Sequence, residues 1–185
     1  RPPPVRLSVW RPPDSPAAHR QPGRVSAEAG RASAAWVRAG VEGVRRGWWE
    51  GLVTAPIHKA AWAAAGITAA GHTEYLATLC RRRGVGMLLC GGGLRVLLAT
   101  RHVPLRHVPR LITPSQLRET FQLAVTAVQW LGIRGDIAVC GLNPHAGDGG
   151  VLGTEEQRIL VPAIRAARRR GAAVSGLDAA EALLE

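Results

Sequence analysis

Three histidines have neighbours that could put them to chemical use. His72 lies in Gly71-His72-Thr73-Glu74, His102 in Thr100-Arg101-His102-Val103-Pro104-Leu105, and His145 in Gly141-Leu142-Asn143-Pro144-His145-Ala146-Gly147. Each follows an apolar run and stands near Gly or Pro. Neutral imidazole is the commonest metal ligand, and open α/β sheets place their ligands at strand ends. The three therefore suit a metal or an anion site. For His102 and His145 the plain alternative is a turn histidine, since no HxxxH or HExxH spacing joins them. His72-Thr73 could hold an anionic group beside the free N–H groups of a helix start, or Thr73 could simply cap that helix. His58-Lys59 reads more simply as a solvated turn.

Other chemistries fail on the residues present. Gly147-Asp148-Gly149-Gly150 is glycine-rich, but no Gly-Lys-Ser/Thr follows to make a phosphate loop. No GxGxxG opens a helix after a strand, so no Rossmann site is visible. Cys80, Cys90 and Cys140 are odd in number and lack CxxC spacing, which argues against a disulfide framework or zinc ribbon. None has the basic setting and histidine partner of a nucleophile. Cys90 and Cys140 sit in apolar runs and are expected as buried thiols. His19 and His107 lie in Arg/Pro-rich text and receive no role.

The elements that must position these residues alternate between helix and short apolar strand, an α/β pattern. Residues 1–23 are rich in Pro and Arg and read as an arm. Ser26 is a natural N-cap for a helix over 27–46, with Gly30, Gly40 and Gly43 either weakening it or letting it pack closely. Residues 51–55 read as a buried strand closed by Pro56, then 60–65 and 74–83 as helices stopped by Gly66 and Gly84. Residues 86–90 and 94–100 form a strand pair around Gly91-Gly92-Gly93. Thr113-Pro114 starts a helix ended by Gly132. A strand over 136–142 leads into the loop carrying His145. Thr154-Glu155-Glu156-Gln157 has capping-box form and opens a helix to about Arg170, before a short strand over 172–175.

The 185 residues carry a net charge of +11 and 46% hydrophobic residues. Such charge invites a nucleic-acid partner. It is almost all arginine, however, with Lys59 the single lysine, and it is scattered apart from Arg81-Arg82-Arg83 and Arg168-Arg169-Arg170 at helix ends. One Phe and one Tyr make base-stacking aromatics scarce, although six Trp are present. A nucleic-acid function is therefore disfavoured. No apolar run approaches the roughly 20 residues of a membrane span. Arg1-Pro2-Pro3-Pro4 lacks the apolar core of a signal peptide, so a cytoplasmic protein is expected.

Five runs then occur in order: Pro22-Gly23-Arg24-Val25-Ser26-Ala27-Glu28-Ala29-Gly30-Arg31, Val53-Thr54-Ala55-Pro56-Ile57-His58-Lys59, Gly71-His72-Thr73-Glu74, Gly141-Leu142-Asn143-Pro144-His145-Ala146-Gly147 and Gly153-Thr154-Glu155-Glu156. Together they closely resemble the 4-hydroxythreonine-4-phosphate dehydrogenase family of pyridoxal phosphate biosynthesis, from about Pro22 to about Gly176. The resemblance implies a partial isocitrate/isopropylmalate dehydrogenase-like α/β fold over 24–185, lacking the N- and C-terminal parts of the family's longer chains. It also implies a homodimer with a shared active site, NAD or NADP, and a divalent cation (Zn, Mg or Co). The implied reaction oxidises the 3-hydroxyl of 4-phosphooxy-L-threonine, and the keto acid then loses CO2 to give 3-amino-2-oxopropyl phosphate.

Carried over by motif, His72 and Thr73 contact substrate, while His102 and His145 bind the metal. Catalytic and cofactor-binding residues stay unassigned. The family's third metal histidine, and the Lys, Asn and Arg that complete its pocket, have no matching positions. Its acidic position near a G-P-x-x-A-D motif falls by Glu181, where Pro is lost and Asp has become Glu, so no role is transferred. The expectation is a central fragment, weakly active or inactive by itself. Alternatives are a paralogue acting on erythronate or threonate 4-phosphate, or a non-catalytic remnant or basic binding protein.

Overall fold

The computed structural model describes residues 8–12 and 23–180. The expected Pro/Arg-rich arm lies largely outside them, as does Glu181. The chain falls into two compact units, Arg1–Arg83 and Gly84–Glu185.

The first unit is helical. Helix α1 (Ala27–Arg45) starts where expected, its Ala29 N–H donating to Ser26 Oγ at 3.1 Å. Glu28 in the first turn and Arg45 in the last complement the helix dipole. The buried face of α1 is made of small residues, Gly30, Ala32, Ala34, Gly40 and Gly43 among them. Mid-helix glycine costs about 1 kcal/mol against alanine, so this run needs a packing reason. Helix α2 (Lys59–Ala64) supplies it at Gly30, where a Cβ would run into the Ala61 carbonyl oxygen, and the side chains of Leu52 and Trp49 supply it at Gly40 and Gly43. Helix α3 (His72–Leu79) closes the unit, and Ala34, Val37, Trp62 and Tyr75 form its core.

Two expectations fail in this unit. Residues 51–55 form no strand and are mostly exposed, Val53 by 99%. A strand needs a neighbour for its N–H and C=O groups, and among the described residues no strand pairs with this stretch. Helix α3 begins at His72 rather than 74 and stops at Leu79. Its end is made by Arg81 at φ 52°, ahead of Gly84.

The second unit carries the strands. Strands β1 (Leu88–Gly91) and β2 (Leu94–Leu97) form the expected antiparallel hairpin, with Leu88 opposite Leu97. Gly92 and Gly93 both have positive φ, as a tight two-residue turn requires. After the short helix α4 (Val108–Leu111), Thr113 caps α5 (Pro114–Trp130) by accepting from the Gln116 N–H. Strand β3 (Ile137–Cys140) runs parallel to β4 (Val174–Asp178), and α6 (Val161–Arg169) lies between them in sequence, making a βαβ unit. Ile112, Leu117, Phe121, Leu160, Ile164, Ala167 and Val174 are the core that joins these helices to the strand pair.

All three cysteines are exposed, which corrects the expectation for Cys90 and Cys140. Along β3 the inward positions are Ile137 and Val139, so the two-residue period turns Cys140 outward. Cys90 sits on a two-stranded ribbon that buries little on either face.

Gly30→Ala tests the α1–α2 contact. The new methyl meets backbone, which cannot swing aside, so overpacking of about 1–3 kcal/mol outweighs the gain in helix propensity. A lower denaturant midpoint by tryptophan fluorescence is expected. That signal reports chiefly on this unit, which holds Trp10, Trp36, Trp48, Trp49 and Trp62. An unchanged or higher midpoint would show that the contact is not tight.

Candidate functional site

In the first unit, His72 opens α3. The N-cap is Gly71, which has no side chain to cap with, so Thr73 is not the cap and the first N–H groups are left to other partners. The His72 ring packs edge-to-face on Trp62, with centroids 5.8 Å apart. Trp62 is 1% exposed, donates Nε1–H to Ser33 Oγ at 2.8 Å, and packs on Tyr75 at 4.9 Å. This stack fixes the imidazole, and His72 Nε2 is buried with no protein hydrogen-bond partner. A buried polar atom left so costs about 1–3 kcal/mol, which a hydrogen-bonding ligand would recover. His58 takes a structural part instead: it is the N-cap of α2, its Nδ1 accepting from the Ala61 N–H.

In the second unit, His102 and His145 are both exposed, and both have left-handed backbone, at φ 50° and 52°. The segment bearing His102 is pinned from two sides. Arg101 donates to the Val85 carbonyl, and the Gln116 amide on α5 donates to the Ala99 carbonyl and to Thr120 Oγ1.

The turn bearing His145 is more unusual. His145, Ala146, Gly147, Asp148 and Gly149 all have positive φ, so this stretch of the turn winds left-handed. Left-handed backbone costs about 1–2 kcal/mol for each residue with a Cβ, and persists only where the surroundings over-determine it. Here they do. Glu156, 2% exposed, accepts at Oε1 from the Leu142 and Asn143 N–H groups at 2.9 and 2.7 Å. Its Oε2 accepts from Asn143 Nδ2 at 3.0 Å, and Asn143 Nδ2 also donates to Glu155. Gly147 lies directly over the carboxylate: a Cβ there would be 2.7 Å from Glu156 Oε2. Gln157 donates to the Gly149 carbonyl at 2.7 Å.

Glu156 and Asn143 were not singled out by their spacing. The expected capping box does not form: Thr154 is not the N-cap, Gln157 reaches the loop, and the helix opens with a wide π-type turn over Glu156–Leu160. Capping text and a loop-clamping carboxylate look alike along a sequence, and only the fold separates them.

The structure thus puts His102 and His145 in one unit and His72 with Thr73 in the other. Among the described residues no group of three or more His, Cys, Asp or Glu side chains is arranged to hold a metal. Each of His102 and His145 is an exposed imidazole on a hydrogen-bonded turn, the ligand type that a borderline divalent cation takes.

The family model for pyridoxal phosphate biosynthetic protein PdxA matches residues 5–185. The chain belongs to that family. It is 40% identical over 179 residues to a 4-hydroxythreonine-4-phosphate dehydrogenase of Desulfosudis oleivorans, covering 95% of this chain and 52% of the relative. It is 41% identical over 168 residues to a D-threonate 4-phosphate dehydrogenase of Bordetella bronchiseptica, covering 90% and 48%. Among solved structures, 4-hydroxythreonine-4-phosphate dehydrogenase from Klebsiella pneumoniae superposes with a TM-score of 0.79 at 34% identity, over 85% of this chain and 48% of that one. The chain spans about half the length of the relatives it matches.

The clamp has a pH signature. Burial alone would push the Glu156 carboxyl up, but hydrogen bonds from Asn143 backbone and side chain, and from Leu142, outweigh it and hold the group below the usual range. A depressed folded value means the stabilisation is present above the unfolded pKa of about 4.3 and is lost as pH falls through the folded value. Amide-exchange protection at Leu142 and Asn143 should therefore persist at neutral pH and fall away only once the pH drops below the ordinary carboxyl value of about 4.3. Protection that is flat through that range would count against an ionised clamp.

Proposed function

We propose that the chain is part of an NAD(P)-dependent, divalent-metal-dependent oxidoreductase that oxidises 4-phosphooxy-L-threonine to a 3-keto acid, which decarboxylates to 3-amino-2-oxopropyl phosphate. The observation that carries this reading is the family match, together with two motif histidines, His102 and His145, on hydrogen-bonded turns of one unit. The same reading includes a partial isocitrate/isopropylmalate dehydrogenase-like fold, a homodimer with a shared active site, and a cytoplasmic location. No described helix is long and apolar enough to cross a membrane.

In this reading His102 and His145 hold the cation, Zn, Mg or Co. When bound, such an ion supplies Lewis-acid polarisation of the substrate hydroxyl and of the ketone formed from it. His72 and Thr73 bind the substrate. The uncapped N–H groups at the start of α3 favour an anionic group, and His72 Nε2, held on Trp62, offers a hydrogen bond to it. Catalytic metal sites usually take three protein ligands, and two are named here, so the 185-residue chain by itself is expected to be weakly active or inactive. Robust NAD reduction by the purified chain would refute that.

A second reading has a specific observation behind it: the D-threonate 4-phosphate dehydrogenase relative is as similar as the threonine-phosphate one, at 41% against 40% identity. Relative kcat/KM on the amino-acid and sugar-acid phosphates decides between them.

The site assignment is tested in the natural protein that contains this sequence. His102→Ala and His145→Ala should each lower metal-dependent kcat/KM by about 100-fold, with a raised metal requirement. His72→Ala should chiefly raise KM for substrate. Unchanged metal titration and rate in both of the first two variants would remove them as ligands. Salt-dependent DNA binding without NAD reduction would instead favour a basic binding protein.

A further inference from the structure

We infer that Glu156 is a positioning residue: its buried carboxylate holds the left-handed turn that presents His145, and so governs metal capture at that imidazole. The second half of this statement rests on the reading of His145 as a metal ligand.

Three observations carry it. The first is the strain itself, since His145, Ala146 and Asp148 sit at φ 52°, 52° and 44° in consecutive left-handed backbone that residues with a Cβ leave unless held. The second is where the carboxylate bonds. Oε1 takes the N–H groups of Leu142 and Asn143, where the chain leaves β3, and Oε2 takes the Asn143 amide and lies against Gly147, at the middle of the turn. One rigid planar group therefore ties the beginning of the loop to the residues on both sides of His145. The third is burial. Glu156 is 2% exposed and the most buried charged group among the described residues, so its hydrogen bonds compete with little water.

Carboxylate chemistry is needed here, not just volume. All of the groups facing Glu156 in these bonds are N–H donors, so both oxygens must accept. An amide of the same shape offers one acceptor and turns a donor against another donor. Glu156→Gln thus leaves packing nearly intact while opposing the clamp. Adding Asn143→Asp places an acceptor opposite the new amide N–H, and Glu155→Gln with it keeps the new carboxylate from facing that of Glu155.

The test uses the full chain and Co2+ alone as the probe, with two readouts. One is paramagnetic broadening of the His145 imidazole resonances as Co2+ is added. The other is amide exchange across residues 142–149 without metal. Glu156→Gln should speed exchange in the loop and raise the Co2+ concentration for half-broadening about tenfold, the usual effect of losing an outer hydrogen-bond partner. Glu156→Gln with Asn143→Asp and Glu155→Gln should recover part of both. Wild-type exchange and broadening in Glu156→Gln would overturn the inference, and so would a triple variant no better than the single, which would reduce Glu156 to packing. If Glu156→Gln fails to fold, Asn143→Ala removes only the side-chain donor; a smaller loss in the same direction supports the clamp, and no change overturns it. A His145 signal indifferent to Co2+ in every chain defeats the ligand assignment, whereas loosened exchange in Glu156→Gln would still support the positioning role.

Discussion

A carboxylate removed from water needs its charge answered, and in the second unit everything near the candidate metal loop is arranged to answer that of Glu156. In an arginine-rich chain no arginine pairs with it among the described residues. Backbone and amide N–H groups take that place. This choice has a structural effect that an ion pair would not have. A guanidinium can follow a carboxylate as it moves, whereas two consecutive backbone N–H groups point one way only, so satisfying the charge fixes the path of the chain.

That path begins at the carboxyl end of β3. The Gly141 N–H donates to the Asp178 carbonyl, extending the β3–β4 pairing by one bond before the loop departs. The loop then turns left-handed and returns through Gly153 to the wide turn that opens into α6. The helix that carries the clamp is thus the crossover helix of the same βαβ unit whose strand end the loop leaves. Strand ends in parallel sheets are where such folds place ligands, because the loops there are free to vary while the strands stay fixed. His102 is placed differently: a side-chain amide on α5 holds the segment after the hairpin.

What could be read from the sequence was what local chemistry decides. Ser26 and Thr113 cap helices where their hydroxyls stand next to free N–H groups, and Gly92-Gly93 turns a hairpin because only glycine accepts both positive φ values easily. The parts that were misread depend on partners far along the chain. Residues 51–55 have strand-like composition but no strand to pair with among the described residues, and Cys140 is apolar in context yet faces outward by the parity of its strand. At the candidate site, the three histidines were legible from their motifs. Glu156 was not, because Thr154-Glu155-Glu156-Gln157 satisfies a local rule that the fold then overrides with a stronger, non-local set of bonds. His72 stands just before the helix expected over 74–83; its place on the Trp62 stack depends on α2, which no spacing reveals.

Both candidate metal histidines, His102 and His145, occupy left-handed backbone that glycine adopts more easily than any residue with a Cβ. Stability and imidazole chemistry therefore pull these two positions in opposite directions. Under selection for folding alone, drift would run toward the residues that relieve the backbone, since most proteins have such stabilising changes within reach. Glycine at either position would relax the backbone and remove an imidazole in one step, so each histidine sets the stability of its turn against whatever its ring is used for.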